Sequence, residues 1–464
     1  METMGRGAKI MKGTMQNMTV GSPLKHIIKF FFPLLLGMLF QQFYNLVDTA
    51  IVGQFLGKEN LAAVGATGSV NFLILGFCMG VCNGFAIPVA QKFGAKDESG
   101  LQRFVANSIW LAILFAIIMT VVVSIFCRQI LVWMDTPSNI LEASYSYILV
   151  IFLGIPITYL YNLLSGFMRA LGDSKTPLVF LVISSVLNIG LDLVAILILH
   201  GGVRGAAVAT VVAQGVSGML CLVYMKKKMS IFEMPRERWR INGRCIARLC
   251  GMGIPMGLQY SITAIGSVIL QRSVNLLGST VVAAISSGGK LSMFFCCPFD
   301  AMGSTMATYA GQNLGAGKLK RVDQGIFACS GLALIYSVVA LGVMMVAGNY
   351  LALLFVVGRE NELIILIVRF LHWNAWFYFP LALVNIVRFT IQGLGFGKLA
   401  ILAGVCEMVA RSVSGFYLVP VLGFTAACLA SPLAWILADI FLIPAYFLVM
   451  RHLRRLAKEE AVLV

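Results

Sequence analysis

The chain has 464 residues, of which 59% are hydrophobic and only 12% charged, and its formal net charge is +16. Soluble domains run at roughly 45–50% apolar and about 25% charged, so this composition excludes a water-soluble globular protein and makes lipid the solvent for much of the surface. The positive charge could suit nucleic acid, but Lys226-Lys227-Lys228 and the stretch Arg236 to Arg248 lie between apolar runs and lack the interleaved aromatics and fold of a nucleic-acid module. They read instead as a topology signal that favours anionic headgroups, so membrane lipids are expected partners and nucleic acid is not.

In chain order, the first residues are polar, basic and rich in methionine (Met4, Met11, Met15, Met18) and read as a cytoplasmic tail without a cleavable signal pattern. A membrane helix needs about 20 mostly apolar residues. Spans are predicted near 30–54, 63–89, 104–127, 141–167, 176–199, 203–225, 249–274, 281–309, 325–347, 361–391, 399–420 and 424–449. The fold class is therefore an all-α polytopic membrane protein of about twelve helices. Pro33, Pro88, Pro156, Pro255, Pro298 and Pro380 fall inside these spans, where neighbouring helices can re-satisfy the backbone. With the N-terminus in the cytoplasm, the outside segments carry only Lys58, Arg128, Arg204 and Arg359, and the basic clusters lie inside. A multi-pass protein of the cell membrane with both termini cytoplasmic follows.

The sequence also repeats. Leu56-Gly57 with Ala62-Ala63 recurs as Leu277-Gly278 with Ala283-Ala284, Gly94-Ala95 as Gly315-Ala316, and Leu171-Gly172 with Lys175 as Leu394-Gly395 with Lys398. Pro33 and Pro255 head the first and seventh spans, and all these matches share an offset of about 220 residues. A duplicated six-helix unit is expected, with a tail at 1–28, a first lobe at 29–225, a basic linker at 226–248, a second lobe at 249–450 and a tail at 451–464. Two such repeats are a transporter design, with the substrate path between the halves.

Ionisable groups inside spans are costly, and each needs a reason. The acids are Asp48, Asp192, Asp300, Glu407 and Asp439, and the bases Arg272, Lys290, Arg369, Arg388 and Arg411. Asp48 shares a helical face with Gln41 and Asn45, Asn188 and Asp192 lie at i, i+4, and Thr210 and Gln214 repeat that spacing on the next span. These polar faces can close around a small cation: oxygen ligands suit Na⁺, and a desolvated carboxylate can carry H⁺. The alternative is hydrogen-bonded glue between helices. In the second half Glu407 and Arg411, also i, i+4, are expected to neutralise each other, and Asp439 and Arg369 to snorkel from span ends. The substrate-cavity candidates are Gln41, Tyr44, Asn45, Gln214, Gln259, Lys290, Asp300, Arg388, Glu407 and Arg411. His26, His200, His372 and His452 sit near span ends with no nucleophile or metal constellation, so neither an enzyme nor a cofactor is expected.

The stretch PLLLGMLFQQFYNLVDTAIVGQFLGKENLAAVGATG (33–68) resembles the first span and loop of the multidrug and toxic compound extrusion family. The same resemblance appears in RALGDSKTP (169–177), NIGLD (188–192), GVRGAAVAT (202–210) and GQNLGAGKLKR (311–321). It implies a two-lobed, monomeric antiporter that exports small organic cations in exchange for H⁺ or Na⁺. Asp48, Asn188, Asp192 and Thr210 match the family's first-lobe cation site. Spans 7 and 10 lack the acids that other members carry there, having Gln259, Thr263 and Gln271 on one and Arg388 on the other. A flippase for lipid-linked precursors, using the second-half bases on a pyrophosphate, is the alternative function.

Overall fold

A computed structural model describes residues 15–134, 136–229, 234–353 and 361–462. Arg359 and the methionines and bases before residue 15, which entered the topology argument, lie outside them. The described residues are helical and contain no strand. They divide into two compact units, one built on Phe32–Leu258 and one on Met18–Phe31 with the chain from Gln259 onward.

The first unit contains most of α1 (Pro23–Ala66), then α2 (Gly68–Gly94), α3 (Glu98–Trp133), α4 (Ser138–Leu153), α5 (Ile155–Ala170), α6 (Lys175–Leu193), α7 (Gly202–Lys228) and the start of α8 (Gly243–Asn275). The second contains the rest of α8, then α9 (Ser279–Gly315), α10 (Leu319–Leu353), α11 (Asn361–Trp376), α12 (Tyr378–Gly393), α13 (Gly397–Val413), the short α14 (Val419–Leu422) and α15 (Phe424–Val462). Among the described residues ten helices are long and apolar enough to cross a membrane, and twelve spans result if α4 with α5 and α11 with α12 each count as one.

Those two pairs bend by 47° and 50°. Pro156 and Pro380 stand just after the breaks; a proline has no N–H for the carbonyl four residues back and its ring collides with it. The sequence reading allowed all six prolines inside continuous spans. Pro33, Pro88, Pro255 and Pro298 do lie within helices, whereas these two mark the bends. The repeat is equally visible in the backbone. Gly57 and Gly278 take φ of 83° and 99°, a left-handed turn that a side chain would strain, and Gly172 and Gly395 take 86° and 96°. The fifth span of each unit ends in a π turn, at Val194–Ile198 and at Ser414–Leu418.

Aromatic side chains fill both interiors. Phe85, Phe152, Tyr159 and Phe167 are buried in the first unit, with Phe85 edge-on to Phe115 at 6.2 Å. Phe299 lies 5.2 Å from Tyr336 and 5.7 Å from Tyr378 in the second. The outer surface is apolar instead of polar: Ile113, Ile117, Val121 and Ile125 form an exposed stripe along α3 at helical spacing. Such a stripe is stable against acyl chains and not against water.

The helices outrun the predicted spans at their polar ends, where local hydrogen bonds replace lipid. Asp97 caps α3 by accepting from the Gly100 N–H at 2.8 Å, and Lys92 neutralises it. Nor is the expected linker 226–248 free along its described length. The Trp110 indole donates to the Trp239 carbonyl, Asn107 accepts from the Asn242 N–H, and Arg248 donates to Gln91. In the second unit the equivalent loop, GQNLGAGKLKR, holds the start of the chain. Gln312 accepts from the Met18 N–H, Lys318 donates to the Thr19 carbonyl, and Arg321 donates to the carbonyls of Met18 and Gly21.

Close approach also explains two glycine pairs. A Cβ on Gly84 would sit 2.5 Å from the Gly253 Cα, and one on Gly80 would sit 2.5 Å from the Met256 carbonyl. Gly80 and Gly84 face Gly253 and Gly257 across α2 and α8 within the first unit, the small-residue crossing that membrane helices use when no hydrophobic effect drives them together.

Candidate functional site

The polar faces of the first unit converge. Asn188 and Asp192, one turn apart on α6, are 1% and 0% exposed. The Asn188 amide is satisfied with its NH₂ donating to Asp192 Oδ2 at 3.0 Å and its oxygen accepting from the Thr210 N–H of α7 at 3.0 Å. Thr210 bonds back to the Ala206 carbonyl at 3.1 Å, and the Tyr44 hydroxyl of α1 reaches its Oγ1 at 3.5 Å. One turn beyond Tyr44, the Asp48 carboxyl comes within hydrogen-bonding reach of Asp192. Asp48, Asn188, Asp192 and Thr210 are therefore neighbours in space as well as by helical spacing.

The electrostatics of the cluster are one-sided. Among the described residues neither Asp48 nor Asp192 forms an ion pair, and one Oδ1 on each is buried without a hydrogen-bond partner. Two carboxyls at hydrogen-bonding distance cannot both be ionised cheaply in a medium of low dielectric, so a proton or a cation must sit with them. The π turn that follows Asp192 loosens the helix directly beside the acid, a placement common at functional sites.

Tyr147 of α4 also belongs to the cluster, buried and within electrostatic reach of Asp48, Asp192 and Tyr44. The sequence reading missed it, because Tyr147 has no ionisable group at helical spacing on α4 to single it out. Of the cavity candidates on these helices, Gln41 and Asn45 are exposed, and Gln214 accepts from the Thr158 hydroxyl at 3.0 Å.

The second unit carries a different arrangement. Glu407 (3% exposed) lies 2.9 Å from the Arg388 guanidinium and 3.6 Å from that of Arg411. The expected Glu407–Arg411 pair is thus the weaker arm of a triad whose nearer partner comes from α12. Glu407 Oε1 and Arg388 Nε have no aligned hydrogen bond, so the 2.9 Å approach is an ion contact, not a directed bond. Arg411 also donates to the Thr263 carbonyl at 3.4 Å. Asp439 does not snorkel: it is 8% exposed and faces Arg388 and Glu407. A mid-helix acid buried within reach of the Arg388 guanidinium is not drawn to an interface. Asp300 is exposed and accepts from the Asn385 amide at 3.2 Å. Arg272, Lys290 and Arg369 are exposed as well. Gln259 is buried and accepts from Gln392 at 2.6 Å, so it joins helices and faces no open space.

Comparison with known proteins agrees with this architecture. The sequence profile of the MatE family matches twice, over residues 33–194 and again over 255–417. The probable multidrug resistance protein YpnP of Bacillus subtilis is 31% identical over 371 residues, covering 80% of this chain and 82% of that one. YoeA of the same organism, also named a probable multidrug resistance protein, is 28% identical over 373 residues, covering 79% and 80%. A transporter of the MOP superfamily from Pyrococcus furiosus superposes with a TM-score of 0.88 at 21% identity, covering 96% of this chain and 100% of its own. A second structure, a multidrug resistance transporter in an outward-facing conformation, gives 0.87 at the same identity and coverage. The two profile matches fall at the repeat seen in the sequence and together cover more than half of the chain, so the chain belongs to the MatE family of multidrug and toxic compound extrusion transporters.

Proposed function

We propose that this transporter is an antiporter of the cell membrane, with both termini in the cytoplasm, which exports small organic cations as a monomer in exchange for H⁺. The observation that supports it best is the pair of facing carboxyls, Asp48 and Asp192, without a base beside them. Na⁺ would need the Asn188 oxygen as a ligand. In the satisfied orientation the amide turns its nitrogen to Asp192, and this geometry suits a proton shared by the two acids. On this reading Asp48, Asn188, Asp192 and Thr210 are the coupling residues, and Tyr44 and Tyr147 complete their surroundings.

Proton entry at the pair removes a buried negative charge and lets α1 and α6 approach; proton loss restores the repulsion. Bending of α1 at Pro33 or Gly37 would carry that change to the substrate. Coupling requires only that the two conformations hold the proton with different affinity. We keep the two lobes at 29–225 and 249–450 as part of this proposal, although the compact units divide within α8, between Leu258 and Gln259. The flippase alternative gains little from the second unit, because Arg388 and Arg411 are buried and share Glu407 as a counter-charge, which makes them poor candidates for a pyrophosphate.

The test is counterflow in proteoliposomes with a fluorescent organic cation and an imposed pH or Na⁺ gradient. Asp48→Asn should abolish pH-driven exchange while equilibrium binding of the dye persists. Exchange at the wild-type rate in that variant, or a response to Na⁺ alone, would overturn the assignment.

A further inference from the structure

The last helix carries a feature that ion coupling does not use. At about 1.5 Å per residue, the 39 residues of α15 extend about 58 Å, well past a hydrocarbon core of about 30 Å. One of its faces changes character along the axis. Ile440, Ile443 and Phe447, spaced three and four residues apart, are exposed and apolar. The same face continues as Arg451, Arg454 and Lys458. At the change lies a cavity of about 560 Å³, lined by Phe447, Met450, Arg451, Arg454, Arg455, Lys458 and, from α10, Asp323.

Two of these four bases are already matched. Arg454 pairs with Asp323, which also accepts from the Tyr446 hydroxyl at 2.7 Å, and Arg455 pairs with Glu459 at 2.8 Å. Arg451 and Lys458 are exposed and form no ion pair among the described residues. Bases near a helix C-terminus are ordinary complements of its carbonyls. That explanation does not account for a cavity lined by Phe447 and Met450 as well as by the bases, nor for its continuity with an apolar stripe.

We propose that this cavity binds the headgroup of an anionic phospholipid. The phosphodiester would sit between Arg451 and Lys458, and the acyl chains would lie along Phe447, Ile443 and Ile440. A guanidinium offers two parallel donors to phosphate oxygens, and the ammonium adds a point charge. The apolar half of the site is what separates a lipid from a free phosphate, which has nothing to place there.

The full-length protein is purified into nanodiscs of phosphatidylcholine with increasing phosphatidylglycerol, and retained lipid is counted by native mass spectrometry. The thermal midpoint is followed in parallel. The wild type should retain phosphatidylglycerol over phosphatidylcholine and melt higher with it. The double variant Arg451→Gln/Lys458→Gln should lose about 30-fold in apparent affinity for phosphatidylglycerol. Its midpoint in pure phosphatidylcholine should match the wild type, showing that the fold is intact. The charge-preserving pair Arg451→Lys/Lys458→Arg should keep the affinity, and so should Lys226→Gln/Lys227→Gln, which removes equal charge from an exposed run at the end of α7. An equal loss in the α7 variant would reduce the effect to diffuse charge and overturn the site. An equal rise in midpoint with inorganic phosphate would make it a phosphate site and overturn the lipid. Full retention in the Arg451/Lys458 variant would also overturn it.

Discussion

Replacing Glu407 by glutamine tests whether the second unit's charges form a structural network. Glu407 is 3% exposed, and its two partners, Arg388 and Arg411, are each 7% exposed. The substitution keeps the shape and removes the carboxylate, so two guanidiniums lose their nearest counter-charge in a poorly solvated site. Breaking a buried pair in this way costs about 3–5 kcal/mol, chiefly the penalty of a charge left uncompensated. Asp439 and Asp300 still reach Arg388 electrostatically, which places the expected cost near the lower end, about 3 kcal/mol, or more than a hundredfold in the unfolding equilibrium. Arg128–Glu142 is the internal control, a 2.6 Å pair whose side chains are 63% and 67% exposed. Glu142→Gln should cost at most about 1 kcal/mol and lose even that in high salt. Equilibrium unfolding in mixed micelles with rising dodecyl sulfate, followed by far-ultraviolet circular dichroism, measures both. If Glu407→Gln costs no more than Glu142→Gln, or if its cost vanishes with salt, the buried-network reasoning is wrong.

Two further outcomes test the scaffold. Gly84→Ala should destabilise the protein by about 1–3 kcal/mol in the same assay, since its Cβ meets backbone of α8 that cannot move aside, whereas Gly65→Ala, in open space on a helix, should be neutral or slightly stabilising. Arg321→Ala removes donors to the Met18 and Gly21 carbonyls and to Asn313, so limited proteolysis should cut the segment 16–22 several times faster than in the wild type. Unchanged cleavage would show that Gln312 and Lys318 suffice to hold it.

What could be read from the sequence, and what could not, follows from the range of each signal. Apolar runs, turn glycines and the duplicated motifs are local, so the spans, the repeat and the all-helical class were legible, and one helix's spacing was enough to align Asn188 with Asp192. The breaks within spans 4 and 10 were marked by Pro156 and Pro380, but identical-looking prolines at Pro88 and Pro298 sit in continuous helices, and only packing distinguishes them. Long-range partners were hidden. The i, i+4 spacing pointed from Glu407 to Arg411, while the closer guanidinium belongs to Arg388 on another helix. Asp439 looked like a span-end residue until α12 and α13 were placed against it. Tyr147 had no carboxylate or amide on its own face of α4 to announce it, only Ser144 one turn before.

The two fifth spans show what duplication conserved and what it released. Both end in a π turn, starting two residues after Asp192 in the first and three residues after Arg411 in the second, so the backbone that loosens beside Asp192 loosens again beside Arg411. At the offset of the Leu171-Gly172 and Leu394-Gly395 motifs, Asn188 stands where Arg411 stands, and Asp192 where Gly415 does. The first unit therefore keeps a carboxylate at its loosened turn with no base to quench it, and the second replaces the amide with a guanidinium and draws a carboxylate, Glu407, one turn earlier to neutralise it. A group whose charge can change with proton binding alters the packing around it at each change; a buried ion-paired triad whose charges stay fixed does not. Under the proposed coupling, the π turn is thus of use in the first unit and is a retained form in the second. If so, restoring an acid to the second turn by Gly415→Asp would add a buried charge beside Arg411 without creating a second coupling site, and the exchange stoichiometry measured in proteoliposomes should stay as it is.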